Sequence, residues 1–270
     1  MGTDNLTTMT ERAMHLPTPT IFVSHGAPTL ALSSAPAHGF LQKLGEDLGR
    51  PRAIVVVSPH WQTNDFAIRA PESFRTWHDF RGFPRELYQL RYEPPGDTRL
   101  AEQILQRLQA AGLPSHLDQD RDLDHGAWVP LSLMYPQADI PVVQISLSAG
   151  GPAAHLQLGE ALRWLADEGV LLLTSGSAVH NLGELHPEDA PAQDWAVAFD
   201  RWLESALTSN DTAALLGFDE QAPEARRAHP DPDHLMPLFV ARGAGGHARR
   251  LHDSFTYGTL SMAAYSMQPA

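Results

Sequence analysis

Six histidines stand where a fold could put them to chemical use. His25 directly follows the β-type run Thr20 to Ser24, and His60 comes three residues after the apolar run Ala53 to Val57. His180 comes six residues after Val170 to Thr174, past a Ser-Gly-Ser turn. In open α/β sheets, ligands bind outside the carboxyl ends of the strands, so these three share one rim. His125 lies on a connection expected to face the same edge. His229 and His234 bracket Pro230-Asp231-Pro232-Asp233. Neutral imidazole is the commonest metal ligand and a proton carrier near neutral pH. It suits Zn, Fe, Cu or Ni better than Mg or Ca. A lone histidine after a strand is ordinarily a turn residue bonded to backbone; the joint placement is what points to a metal or acid–base centre. His229 reads as a turn or pocket residue. His15, His38, His116, His155, His247 and His252 have no convergent placement and are expected at the surface. Asp65, Asp124, Asp231 and Asp233 are near candidate histidines in sequence, either as partners for a second ring nitrogen or as helix caps.

The elements that position these residues alternate. Thr20 to Ser24, Ala53 to Val57, Pro141 to Ser146 and Val170 to Thr174 read as strands, the second apolar enough to be covered on both faces. Between them, Gly39 to Leu48, a helix after Asp97 with Leu100, Ile104 and Leu108 on one face, a short apolar helix after Trp128, and 153–168 have helical character. Residues 71–96, rich in proline and aromatics from Phe74 to Tyr92, read as a long excursion. After His180 the chain turns mostly helical, over Asp194 to Leu207, Thr212 to Leu216 and His234 to Arg242. A β-type stretch from Ala248 to Tyr257 then precedes a short tail. The expected fold class is α/β: a single domain, 18–270, with a largely parallel central sheet, helices on both faces and a helical C-terminal part. Residues 1–17 form a loose N-terminal arm.

Composition narrows the function classes. The formal net charge is −13 over 270 residues, and Lys43 is the only lysine. A net-acidic chain without a basic stripe argues against nucleic acid and against an anionic membrane surface. There is no cysteine, so disulfides and thiolate metal sites are excluded. Asp4, Glu11 and Arg12 interrupt the first seventeen residues, which do not read as a signal peptide, and no apolar run is long enough to span a bilayer. A cytoplasmic protein is the expectation. No nucleophile elbow, P-loop, dinucleotide fingerprint, His-Glu-x-x-His helix or calcium loop is present.

Five motifs occur in order: Ser24-His25-Gly26-Ala27-Pro28, Ser58-Pro59-His60-Trp61, Asp124-His125-Gly126-Ala127-Trp128, Ser175-Gly176-Ser177-Ala178-Val179-His180-Asn181, and His229-Pro230-Asp231-Pro232-Asp233-His234. The set resembles the class III extradiol ring-cleavage dioxygenases of catalytic-subunit type, and within them the 4,5-DOPA dioxygenase extradiol branch. The ending Tyr257-Gly258-Thr259-Leu260-Ser261-Met262 is similar as well. The resemblance implies His25 and His60 as metal ligands. It implies His234, ahead of Arg242-Gly243-Ala244, in the place where ring-cleaving relatives use a glutamate. His180 matches the family's acid–base histidine, with a role as outer ligand also open, and His125 matches a second catalytic histidine. Trp61, Trp128, His229 and Tyr257 are candidates for the substrate pocket. The implied cofactor is Fe(II) for activity, with Zn(II) a plausible bound metal, since zinc suits three nitrogens but has no redox chemistry. The implied partners are a small aromatic diol, DOPA-like or related, and O2, with a muconic semialdehyde as product. A zinc hydrolase on the same histidines and a non-catalytic metal-binding or signalling relative are the competing readings.

Overall fold

Period-two alternation of apolar residues sorts each central strand's side chains onto two cores. The computed structural model describes residues 18–268; the expected N-terminal arm lies outside the described residues. In chain order the first half consists of β1 (Thr20–Ser24), α1 (Pro36–Leu48), β2 (Ala53–Thr63), β3 (Phe66–Arg69), α2 (Thr98–Ala110), β4 (Ser115–Leu117), α3 (His125–Met134), β5 (Val142–Ser148), α4 (Gly151–Leu162) and β6 (Val170–Gly176). The second half is α5 (Asp194–Thr208), α6 (Thr212–Leu216), α7 (Phe218–Gln221), α8 (Ala225–Ala228), α9 (Met236–Ala244), β7 (Ala248–His252), β8 (Phe255–Thr256), β9 (Leu260–Ser261) and β10 (Ala264–Met267).

The main sheet runs β4-β3-β5-β2-β6-β1-β10-β7. Its four middle strands, β5, β2, β6 and β1, are mutually parallel, while β3, β10 and β7 add antiparallel pairings toward the edges. On β2, Ala53, Val55 and Val57 face a core shared with Leu100 of α2, Leu158 of α4, Phe199 of α5 and Leu238 of α9. Ile54 and Val56 face the other core, with Leu41 of α1 and Trp128 of α3. Helices therefore cover both faces, and the chain is a single α/β domain with a mostly parallel sheet. Among the described residues no helix is long and apolar enough to cross a membrane.

Several expectations are corrected. The segment after Tyr257 is not a tail: β10 pairs with β1 on one side and β7 on the other. β2 extends through Thr63 instead of stopping at Val57. The helix expected from His234 begins at Met236, preceded by a 3-10 turn over Pro232–Leu235 that holds His234. His155, expected at the surface, is buried; its Nδ1 donates to the Gly151 carbonyl at 2.6 Å and its Nε2 accepts from the Ser148 N–H at 3.2 Å. That ties the start of α4 to the end of β5.

Candidate metal centre

His25 leaves β1 with its backbone N–H donating to the Gly176 carbonyl at 3.0 Å, so its position is locked to the end of β6. His60 owes its place to an irregularity. From Val57 to Gln62, β2 uses five steps while its partner β5 uses two, from Ile145 to Leu147. The surplus residues leave the ladder, as in a bulge that re-aims a side chain. Arg121 fixes the result: its Nη2 donates to the His60 carbonyl at 2.6 Å, and its guanidinium lies 4.3 Å from the Trp77 ring centroid and 5.5 Å from that of Trp61.

His125 opens α3. Asp124, fully buried, caps that helix and also accepts from Ser58 Oγ at 2.6 Å, Gln144 Nε2 at 2.6 Å and Arg121 Nη2 at 3.1 Å. A buried carboxylate is tolerable only when so fully paired. Gly126 lets the helix end approach His60, because a Cβ there would sit 2.8 Å from the His60 ring. His234 is carried in by α9, whose Gly243 packs directly on the Leu156 carbonyl of α4.

The hydrogen bonds assign ring tautomers. Ser175 Oγ donates to the Gly126 carbonyl, so toward His25 Nδ1, 3.0 Å away, it accepts. His25 therefore carries its proton on Nδ1 and turns the Nε2 lone pair to the cavity. That nitrogen lies 3.1 Å from His60 Nε2. Two nitrogens bound to one ion at about 2.1 Å lie roughly 3.0 to 3.4 Å apart, so the pair fits a shared metal. His125 and His234 follow one pattern: ring Nδ1 and backbone N–H both donate to a single carboxylate oxygen. For His125 this is Asp79 Oδ1, at 2.8 and 3.0 Å; for His234 it is Asp233 Oδ1, at 2.8 and 2.6 Å. Carboxylate partners of this kind are common behind metal-bound imidazoles.

His25, His60 and His125 bring one nitrogen each within 4.8 Å of one another, and a second group does the same with a nitrogen each from His180 and His234 and a carboxylate oxygen from Asp233. The groups adjoin. The His234 ring centroid lies 4.9 Å from that of His60 and 5.4 Å from that of His25, while His125 is 4.0 Å from His60. His180 stacks on His234 at 3.6 Å.

Burial sets the protonation of this cluster. Desolvation, then the neighbouring imidazoles, hold His25 and His234 well below the ordinary histidine range. His60 is lowered to about 4 by burial and by His125, against the opposing pull of Asp124 and Asp79. His180 is lowered by burial despite Asp233 and Asp231. Burial pushes the Asp79 carboxyl upward, but its bond from His125 and the nearby imidazoles leave it below its usual value. Neutral rings beside ionised carboxylates are the state in which nitrogens accept a cation.

The histidines floor a cavity of about 420 Å³. Its walls are Phe80 and Phe83 from the aromatic excursion, Leu182 and Leu185 from the turn after His180, and Tyr257 and Leu260. Of the expected pocket residues, only Tyr257 lines it. Trp61 faces Arg121, Trp128 is fully buried with its Nε1–H on the Trp77 carbonyl at 3.0 Å, and buried His229 bonds the Ala178 carbonyl at 3.0 Å. Asp65 pairs with His116 at 3.1 Å, away from the centre. Asp79, Ser175 and the two leucines were not picked out by type and spacing. Asp79 stands forty-six residues before the ring it holds, and leucines in a turn have no periodicity to read.

The described residues thus gather imidazole nitrogens that could hold a metal ion at the carboxyl end of a parallel sheet, under an apolar cavity that could admit an aromatic ring. Residues 18–268 match the profile of the catalytic LigB subunit of aromatic ring-opening dioxygenase. The chain belongs to this family and is an extradiol ring-cleavage dioxygenase. It is 43% identical to a 4,5-DOPA dioxygenase extradiol of Beta vulgaris over 91% of this chain and 95% of that one. A protein of the same name from Escherichia coli K12 is 39% identical over 84% of each. A crystal structure of an uncharacterized protein from Escherichia coli K12 matches with a TM-score of 0.77 and 32% identity, covering 93% of this chain and 99% of that one.

Proposed function

We propose that this chain opens a catechol ring beside its two hydroxyls with O2, giving a muconic semialdehyde, and that His25, His60 and His234 hold the Fe(II) it needs. The approach of His25 Nε2 to His60 Nε2 at 3.1 Å carries this reading; His234 completes the set with its Nδ1 committed to Asp233. When bound, iron supplies the redox chemistry that lets a catechol react with O2. The remaining work falls to the chain. His180, kept neutral by burial, accepts a proton from a substrate hydroxyl and returns it later, a service worth roughly 10²–10⁴-fold in rate. His125, with its Nδ1–H held by Asp79, presents Nε2 to the reacting oxygens. The apolar walls hold the ring and exclude water. The 4,5-DOPA names of the relatives put DOPA on the panel of catechols to try.

The test is O2 consumption with a panel of catechols after anaerobic loading with Fe(II), with Zn(II) loading as control. Iron-dependent uptake with a yellow ring-opened product is the expected result. Absence of uptake in protein shown to hold iron would overturn the assignment in favour of a hydrolase or a non-catalytic metal binder, and turnover of hydrolysable esters with zinc would select the hydrolase.

A further inference from the structure

Resting on that ring-opening reading, we infer that the natural catechol carries an uncharged, apolar substituent, recognised by Phe80, Phe83, Leu182 and Leu185, and not a carboxylate. The cavity, at about 420 Å³, has room beyond a single ring. Apart from the histidines on its floor, the wall that the described residues form is apolar or neutral, with no arginine, lysine, aspartate or glutamate among them. The charges close by are already engaged. Asp79 is bound by His125, Asp233 by His234, and Glu184, between the two leucines, by Arg227 at 2.7 Å. Arg81 and Arg85 flank Phe83 in sequence, but both are exposed and neither forms part of the wall.

The mouth is the second observation. Leu182 and Leu185 are 61% and 43% exposed, two of the few large apolar side chains that the described residues leave in water. Covering such surface is favourable, and an apolar substituent on the ring would cover it. A carboxylate in the same place would give up part of its hydration and meet no arginine or lysine of the wall in return. The four side chains come from two separate loops, so the preference belongs to the assembled cavity.

The test uses a matched pair, 4-propylcatechol and 3-(3,4-dihydroxyphenyl)propanoate, which differ by a terminal methyl against a carboxylate; DOPA is the third probe. Binding to the Zn(II)-loaded full-length chain is measured by calorimetry, since zinc binds without turnover, and kcat/KM is measured on the Fe(II)-loaded chain. 4-Propylcatechol should bind at least about tenfold more tightly than either charged probe. Leu182→Arg and Leu185→Arg, both at exposed positions, should narrow or reverse that ratio. Equal or tighter binding of the charged probes by the unaltered chain overturns the inference, as do arginine variants that leave the ratio unchanged or a chain that binds none of the three. If the zinc form keeps the preference while the iron form opens no ring, the ring-opening reading falls and the assigned substituent stands.

Discussion

Ser175 decides which nitrogen of His25 is available. Its proton goes to the Gly126 carbonyl, so it takes the His25 Nδ1–H and leaves Nε2 bare beside His60. Ser175→Ala removes that constraint without adding bulk. The ring can then rotate or change tautomer, and metal affinity should drop about 10- to 100-fold, as for other residues that orient ligands. Competition with a chelator of known affinity measures it; Ser175→Thr should restore most of the loss, and an alanine variant with unchanged affinity would refute the assignment. Asp79 acts on His125 in the same manner and hydrogen-bonds none of the proposed ligands, His60 Nδ1 being 4.0 Å from its other oxygen. Asp79→Asn should therefore lower kcat by roughly 10- to 100-fold with little change in metal content, and a proportional loss of bound metal would instead make His125 a ligand. The histidines were legible because their type and their place after strands both carry information. Asp79 was not, because it reaches His125 from an irregular excursion whose path no local pattern encodes.

The element that places His234 is α9, and its seat is a crossing of glycines. A Cβ on Gly243 would collide with the Leu156 carbonyl, and one on Gly159 with the Val240 carbonyl. Two backbones in direct contact leave no room to repack, so overpacking strain follows any side chain there. Gly243→Ala should destabilise the fold by about 1–3 kcal/mol and, because α9 begins two residues after His234, weaken metal binding as well. Urea unfolding and metal titration on the same variant report the two effects; loss of stability with unchanged metal affinity would show that the 3-10 turn alone sets His234. The parallel strands at the sheet centre could be read directly, since Ala53 to Val57 and Val170 to Leu173 are continuous apolar runs. β10 could not. Ala264–Met267 is four residues long, and what makes it a strand is the long-range partnership with β1 and β7. The three-residue β4 and the four-residue β3 escape notice for the same reason. The surplus residues around His60 were visible only as Ser-Pro-His-Trp, and their function as a bulge depends on counting against β5.

The whole molecule stores an acid sensitivity in its buried imidazoles. Burial is the leading cause that holds His25, His60, His155, His180, His229 and His234 below the ordinary histidine value. Each is neutral when folded at neutral pH, yet in the unfolded chain each protonates near 6.5. Below that pH the unfolded state binds more protons, so stability rises with pH through this window. The contribution is complete above about 6.5 and is lost as pH falls toward the folded values, which for His60 and His229 are about 4. For His229, enclosed between Phe199 and the Ala178 carbonyl, the shift is worth roughly 3 kcal/mol. Protonation also reduces the net charge of −13, which relieves repulsion and acts the other way; that effect is spread over the surface and screened by salt, whereas the histidine penalty is not. The metal-free chain should therefore show a urea midpoint that falls steeply between pH 7 and 5, in high salt as in low. His229→Gln, which keeps a donor for Ala178, should flatten the slope. Metal occupies nitrogens that must be neutral, so its stabilisation, present at pH 7, should fade over the same interval as protons compete for the site. A midpoint independent of pH in the metal-free chain would mean that the cluster opens to water and is not the dry, neutral pocket on which both the metal site and its substrate selectivity depend.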